Sequence, residues 1–421
     1  MKKNLLILIV LIFSFASCSD KDPSQIADTI YTNGKIYTVN EAQPWAEAVA
    51  IKDGKFLKVG SSKEVAAAKG ENTKVIDLQG KFAMPGVVDA HVHPYDVYLQ
   101  EYMGNLNFSN QLDADGIAKA IKEYAEANPE KTWIKGGSYG AGAFPNAKMT
   151  KEWLDEIVPD KPAYFRDEFG HNGTANSKAL ELAKITSDTP NPPLGSIDKD
   201  PVSGEPTGYL SEAGMGLVGK LLDRAQPETY QQAMKRSLNE MQAWGVTSFI
   251  DMMVNTEVID AYYSLLEQEQ LPFRVNTAFA MNEYTAEVMT ADEAKSLLPE
   301  AVKRTSDRIN TNNFKYWGDG TPLSYTSLLV DKYADKDTYG EMTMSDEMRE
   351  DAINYLGQGI NGHIHTITDG SIRYVLDLVE EAREQYPGKV NRFHMGHCSL
   401  IHPDDYQRFI DLDVVAEIGP A

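Results

Sequence analysis

Pro85-Gly86-Val87-Val88-Asp89-Ala90-His91-Val92-His93-Pro94 is a short apolar run that delivers two histidines straight into a loop. Residues i and i+2 of a strand project to one face, so both imidazoles can reach a single metal ion. A lone His-x-His pair is weak evidence, and its surroundings decide the fold. Before Met84 the text reads as short strands. After Gly86 strands alternate with helices, the pattern of βα units on a parallel sheet.

Downstream strand candidates are Gly86 to His91, Gly245 to Met252, Phe273 to Phe279, Phe314 to Trp317, Gly362 to His365, Phe393 to His397 and Val414 to Ile418. Helical stretches fall between them, among them Pro227 to Trp244, Asp346 to Gln358 and Ser371 to Gln385. Each strand ends in polar or titratable residues, and in a (β/α)8 barrel the active site gathers at those ends. The fold class is therefore α/β, a TIM-type barrel over residues 85–421. A closed barrel needs eight strands and the text holds seven, which predicts a chain truncated at its C-terminus. The interval 95–220 exceeds a βα loop and reads as an insertion capping the barrel mouth. It carries helix Ala114 to Ala127, strands Trp133 to Gly136 and Ala163 to Arg166, and helix Ser177 to Lys184.

Upstream, residues 28–84 read as a small β-sandwich of antiparallel strands, with Asn33-Gly34 and Asp53-Gly54 as turn pairs. Met1-Lys2-Lys3, the apolar stretch Leu5 to Phe15 and the small residues Ala16 and Ser17 make a secretory signal over 1–17. Phe15-Ala16-Ser17-Cys18 resembles the lipobox of bacterial lipoproteins, with Phe15 where Leu is usual. That resemblance implies cleavage before Cys18, a lipid on its sulfur, a tether over 18–27 and an exported chain anchored to a bacterial membrane by that lipid alone. A plain signal with an incidental cysteine is the alternative.

Composition removes several classes. The 421 residues are 42% hydrophobic and 10% aromatic, enough for a sizeable core. Forty Lys and Arg against 62 Asp and Glu give a formal charge of −22, which repels a phosphate backbone and argues against nucleic-acid binding. Two cysteines exclude a disulfide scaffold and a cysteine-built zinc site, and Cys398 reads as a small buried residue.

Three further chemical candidates stand at later strand ends: Lys315 in an apolar strand where a lysine is costly to bury unpaired, His365 and His397. Singly, each is more often a satisfied polar residue. Together, the eight histidines of the chain are biased towards strand ends, which solvated decoration does not predict.

On these residues the chain resembles the metal-dependent amidohydrolases, in the family 3 branch (the YtcJ-like group that includes N-substituted formamide deformylases). Phe169-Gly170-His171, Asn176-Ser177-Lys178-Ala179-Leu180, Gly204-Glu205-Pro206-Thr207-Gly208, His365-Thr366-Ile367-Thr368-Asp369 and His397-Cys398-Ser399-Leu400-Ile401 carry the branch likeness. The resemblance implies His91 and His93 on strand one, a carboxylated Lys315 on strand four, His365 on five and His397 on six. These would hold one or two divalent ions, zinc foremost. It also implies a proton-shuttling aspartate on an eighth strand, beyond Ala421, so that the chain as written is expected to be inactive. The implied reaction is hydrolysis of a carbon–nitrogen bond in a small non-peptide amide or N-formyl compound, by a protein that could form a homo-oligomer.

His171, Trp317 and Asp319 are candidate substrate contacts, with a loop-structural role open for His171 and a turn for Asp319. Asp369 reads as an N-cap or a partner of the site, and Asp89 as structural. His363 and His394 read as structural, set off the site by parity or offset. Two other readings remain. One is a barrel glycosidase using Asp167 and Glu168, which adjacency disfavours because neighbouring strand residues face opposite ways. The other is a non-catalytic lipid-anchored binding protein or pseudoenzyme on the same barrel.

Overall fold

The computed structural model describes residues 22–108, 112–192, 195–282, 291–322 and 325–419. The signal segment and Cys18 lie outside the described residues. The chain divides into two compact units at Gly86 and Val87.

The first unit holds two small sheets. Thr29–Thr32 lies between Ala48–Lys52 and Lys74–Asp77, with Lys55–Gly60 at the edge beyond Ala48–Lys52. Lys35–Tyr37 lies between Trp45–Ala46 and Phe82–Ala83 in the other sheet. Asp53 and Gly54 both take positive φ and close a tight hairpin, as expected from the dipeptide. Two expectations need correcting. Asn33-Gly34 does not close a hairpin, because the strands on either side of it belong to different sheets. Nor is the pairing all antiparallel: Thr29–Thr32 runs parallel to Lys74–Asp77, and Lys35–Tyr37 parallel to Phe82–Ala83. Parallel partners are joined by long connections, which local turn signals do not reveal.

In the second unit seven parallel strands follow in chain order: β1 (Val87–Val92), β2 (Val246–Val254), β3 (Arg274–Ala280), β4 (Asn313–Trp317), β5 (Asn361–Thr366), β6 (Phe393–His397) and β7 (Val414–Ile418). Each pairs with its neighbour in sequence, and Ile309–Asn310 adds a short strand beside β3. The path runs from β1 to β7, and a contact of 3.2 Å between His91 on β1 and Glu417 on β7 brings its two ends together, so the barrel is nearly closed. Phe249, Phe279, Phe314, Ile364, Phe393 and Met395 are fully or almost fully buried in its core. Helices Pro227–Ala243, Thr256–Glu267, Ala291–Val302, Asp346–Gly357 and Asp369–Gln385 connect the strands.

The insertion folds around a sheet of its own. Its strand order is Gly195–Lys199, Pro206–Glu212, Asn172–Ala175, Ala163–Asp167, Ile134–Tyr139 and Leu106–Asn107. Ile117, Ile121, Ile134, Leu154 and Phe165 form a separate core beneath it. Helix Ala114–Ala127 starts where Asp113 caps it by accepting from the Gly116 amide.

Candidate active site

Both unit-two sheets contribute to one cavity of about 1170 Å³. His91, His93, Lys315, Trp317, His365 and His397 line it from the barrel; Ser138, Arg166, Glu168 and His171 line it from the insertion. All five residues expected to bind metal thus face one space, on strands one, four, five and six or the loop after strand one.

Their rings are close. His91 lies 5.4 Å from His93 and 4.9 Å from His397, and His365 lies 4.5 Å from His397, ring centre to ring centre. Burial dominates their electrostatics. It holds His93 and His365 well below the ordinary imidazole range, reinforced by the repulsion a second proton would meet among His91, Lys315 and His397. His397 is pushed down to about 3 by burial, then by Lys315 and His91. His93 Nδ1 and His365 Nε2 are buried without a hydrogen-bond partner. Neutral imidazoles with orphaned nitrogens are unusual in a protein interior and are the donor set that a divalent cation satisfies.

Lys315 is 1% exposed, and burial brings its amine down to about 7. Its Nζ stands 5.6 Å from the centre of the Trp317 ring. An amine of that kind is about half uncharged at neutrality, where an ordinary lysine is almost wholly charged, and so can act as a nucleophile.

The end of β6 is locally reversed. His397 and Cys398 take successive left-handed conformations, with φ of 71° and 41°. The Cys398 amide turns back onto the carbonyls of Thr366 and Gly396. Non-glycine residues enter this region at a cost of about 1–3 kcal/mol each, and such strain collects at functional sites. Cys398 itself is buried and its thiol is pushed up to about 12 by burial, so it is not a nucleophile.

The opposite wall is built differently. His171 Nδ1 lies 3.1 Å from both oxygens of Glu212, and Thr326 Oγ1 donates to one of them at 3.2 Å. Burial works against charge on His171, but the Glu212 carboxylate outweighs it and the imidazole is raised. The His171 ring is 5.4 Å from that of His365.

Asp319 is fully buried and is not among the cavity-lining residues, so its expected place against substrate is corrected. Its carboxylate accepts from the amides of Ile367 and Thr368, tying the end of β4 to the loop after β5, and burial raises it to about 7. Asp369 is not an N-cap: Thr368 holds that position, and Asp369 accepts from the Val330 and Gly370 amides. Asp89 accepts from the backbone amide of His91. Asp167 and Glu168 both line the cavity, where Asp167 accepts from the Asn172 side chain and Glu168 from the Ala141 amide.

His363 is not set apart by parity, while His394, three residues before His397, is, and both line a second cavity rather than that of the site. His363 shares the face of His365, two residues on, and its ring lies 5.2 Å from His91. His394 Nδ1 meets Glu417 at 2.7 Å. Sequence reasoning passed over Glu417 and Glu212. The signal for Glu417 was present: a charged residue inside the apolar run Val414–Ile418, the same kind of anomaly that singled out Lys315.

A model of the amidohydrolase family matches residues 74–421. Protein LONG AFTER FAR-RED 3 of Arabidopsis thaliana is 28% identical over 94% of this chain and 68% of its own length. N-substituted formamide deformylase of Arthrobacter pascens is 27% identical over 94% of this chain and 74% of its own. Among solved structures, an uncharacterized metal-dependent hydrolase from Pyrococcus horikoshii superposes with a TM-score of 0.64 at 24% identity, over 93% of this chain and 74% of that one. That likeness concerns the fold.

Proposed function

The chain belongs to the amidohydrolase family, and from that premise we propose that it hydrolyses a carbon–nitrogen bond of a small non-peptide amide or N-formyl compound in a metal-dependent reaction. The observation that carries the reading is the convergence of His91, His93, Lys315, His365 and His397 on one cavity, with buried ring nitrogens on His93 and His365 left unsatisfied. This set fits one or two divalent ions, zinc foremost, as ligands. Such ions supply an activated water and a polarised carbonyl when bound.

The chain's own residues do the rest. The four histidines stay neutral, so their lone pairs remain available. The uncharged fraction of the Lys315 amine, about half at neutrality, can add to carbon dioxide: the N–C bond forms, an electron pair moves to oxygen and the nitrogen proton leaves to solvent. The resulting N6-carboxylate would be an anionic bridge. His171, anchored through Nδ1 by Glu212, presents its other edge to substrate, and Trp317 forms part of the wall.

We further read the N-terminus as a lipoprotein signal with Cys18 as the lipidated residue, which makes this an exported, membrane-tethered enzyme.

The test is metal counting joined to turnover. For the full-length native protein, at least one divalent ion per chain, with hydrolysis of an N-formyl and N-acyl amine panel lost on chelation and restored by metal, is the expected result. Less than one ion per chain together with chelator-insensitive turnover would sink the reading. A metal-replete chain with no turnover on that panel would favour the binding-protein alternative.

A further inference from the structure

Glu417 is the one carboxylate, among the described residues, that bridges the two ends of the barrel path. Its Oε2 lies 3.2 Å from His91 Nδ1 and its Oε1 lies 2.7 Å from His394 Nδ1. His363 Nε2 stands farther off, 3.6 Å from Oε2. A carboxylate only accepts hydrogen bonds, so each of the two short contacts needs a proton on the Nδ1 it meets. For His91 that leaves the lone pair of a neutral ring on Nε2, the nitrogen on the other edge of the imidazole.

The packing holds this arrangement in place. A Cβ on Gly396 would sit 2.8 Å from His363 Nε2, 3.1 Å from His91 Cε1 and 3.3 Å from His91 Nδ1. Any larger residue there would press on His363 and on His91 beside its carboxylate. Histidines that bind metals are commonly oriented this way, through a carboxylate on the nitrogen that does not ligate, and loss of such a partner weakens metal binding by about 10–100-fold.

We propose that Glu417 is a positioning residue, which fixes His91 as the Nδ1–H tautomer and so presents Nε2 as a metal ligand, while His394 holds the carboxylate from its far side. The proposal rests on the metal-dependent reading for its consequence but not for its first test. That test is nitrogen-15 NMR of histidine-labelled, metal-free full-length chain. Wild type is expected to show His91 protonated on Nδ1. In Glu417→Ala, His91 moves towards the Nε2–H form, and competition titration with Co2+ alone shows affinity lower by about 10–100-fold. Glu417→Gln, close in shape, is the second variant should the alanine chain fail to fold; its amide N–H can donate to Nδ1 and is expected to give the same shift.

An Nε2–H tautomer in wild type, or no change of tautomer in both variants, overturns the proposal. So does Co2+ held directly by His91 Nδ1, His363 Nε2 and Glu417, since the ion would then replace the Nδ1 proton. Failure of the functional reading looks different: wild type would bind no ion while the tautomer shift survived. A wild type that binds Co2+ tightly and a Glu417→Ala chain that binds it equally well would sink the positioning role alone.

Discussion

The two walls of the cavity hold histidines in opposite conditions. On the barrel wall His93 and His365 each bury a ring nitrogen that no hydrogen bond satisfies, and every imidazole of the set is pushed towards neutrality. On the insertion wall His171 is buried too, but Glu212 grips it and pushes it towards charge. The same side chain thus becomes a lone-pair donor or a proton-bearing contact, according to whether the carboxylate facing it outweighs burial and nearby cations, as Glu212 does for His171 and Glu417 does not for His91. The difference teaches that burial alone does not assign a histidine's role; its partner does.

Replacing histidines on each wall should separate them most sharply. His93→Ala and His365→Ala are expected to lose metal affinity by more than the roughly 10–100-fold seen for supporting partners. His171→Ala should leave metal content unchanged while lowering kcat/KM. Elemental analysis of the three purified chains checks this, and a His171→Ala chain emptied of metal would dissolve the distinction.

Acid should come next. The barrel-wall histidines have folded-state values below the ordinary 6.5, His397 at about 3, so between those limits the unfolded chain binds more protons. Stability present above about 6.5 is therefore lost as pH falls towards 3. His171 contributes in the other direction, its stabilisation being present below 6.5 and lost as pH rises through its raised value. Melting curves of the metal-free chain should fall on acidification below about 6.5; His171→Gln should leave that slope unchanged and remove the gain in stability on acidification from the raised His171 value down to about 6.5. Lys315, down at about 7, adds a destabilisation that is relieved as pH rises from 7 towards 10.5.

Gly396→Ala forces a methyl against His363 and His91. Overpacking of this kind costs about 1–3 kcal/mol, readable as a lower urea midpoint together with weaker Co2+ binding. The smallest effect belongs to the insertion wall. Thr326→Val removes one hydroxyl donor from Glu212 and should cost about 0.5–1.5 kcal/mol, with the NMR titration of His171 moving little.

Much of the barrel wall was legible in the sequence, because its signals are local. Apolar runs ending in histidine marked β1, β5 and β6 to within about two residues, and the misplaced lysine marked β4. The insertion wall was less so. Asn172–Ala175, Gly195–Lys199 and Pro206–Glu212 carry few apolar residues in alternation, and they become strands by pairing with one another inside a six-stranded sheet. Carboxylate partners were the hardest to see. His91 and Glu417 are 326 positions apart, and nothing in either neighbourhood names the other. Parity counting also misled: His363 stands two residues before His365 on one strand, so both face inwards.

The reversed backbone at His397 and Cys398 bears on how this protein would respond to selection. A library screened for heat tolerance alone would be drawn to glycine or asparagine at both positions, which adopt the left-handed conformation with less strain. A library screened for turnover would keep His397 and accept the strain. Heat and turnover would then pull apart at a single peptide unit, a trade-off of the kind expected where a site is held in a conformation its residues do not favour.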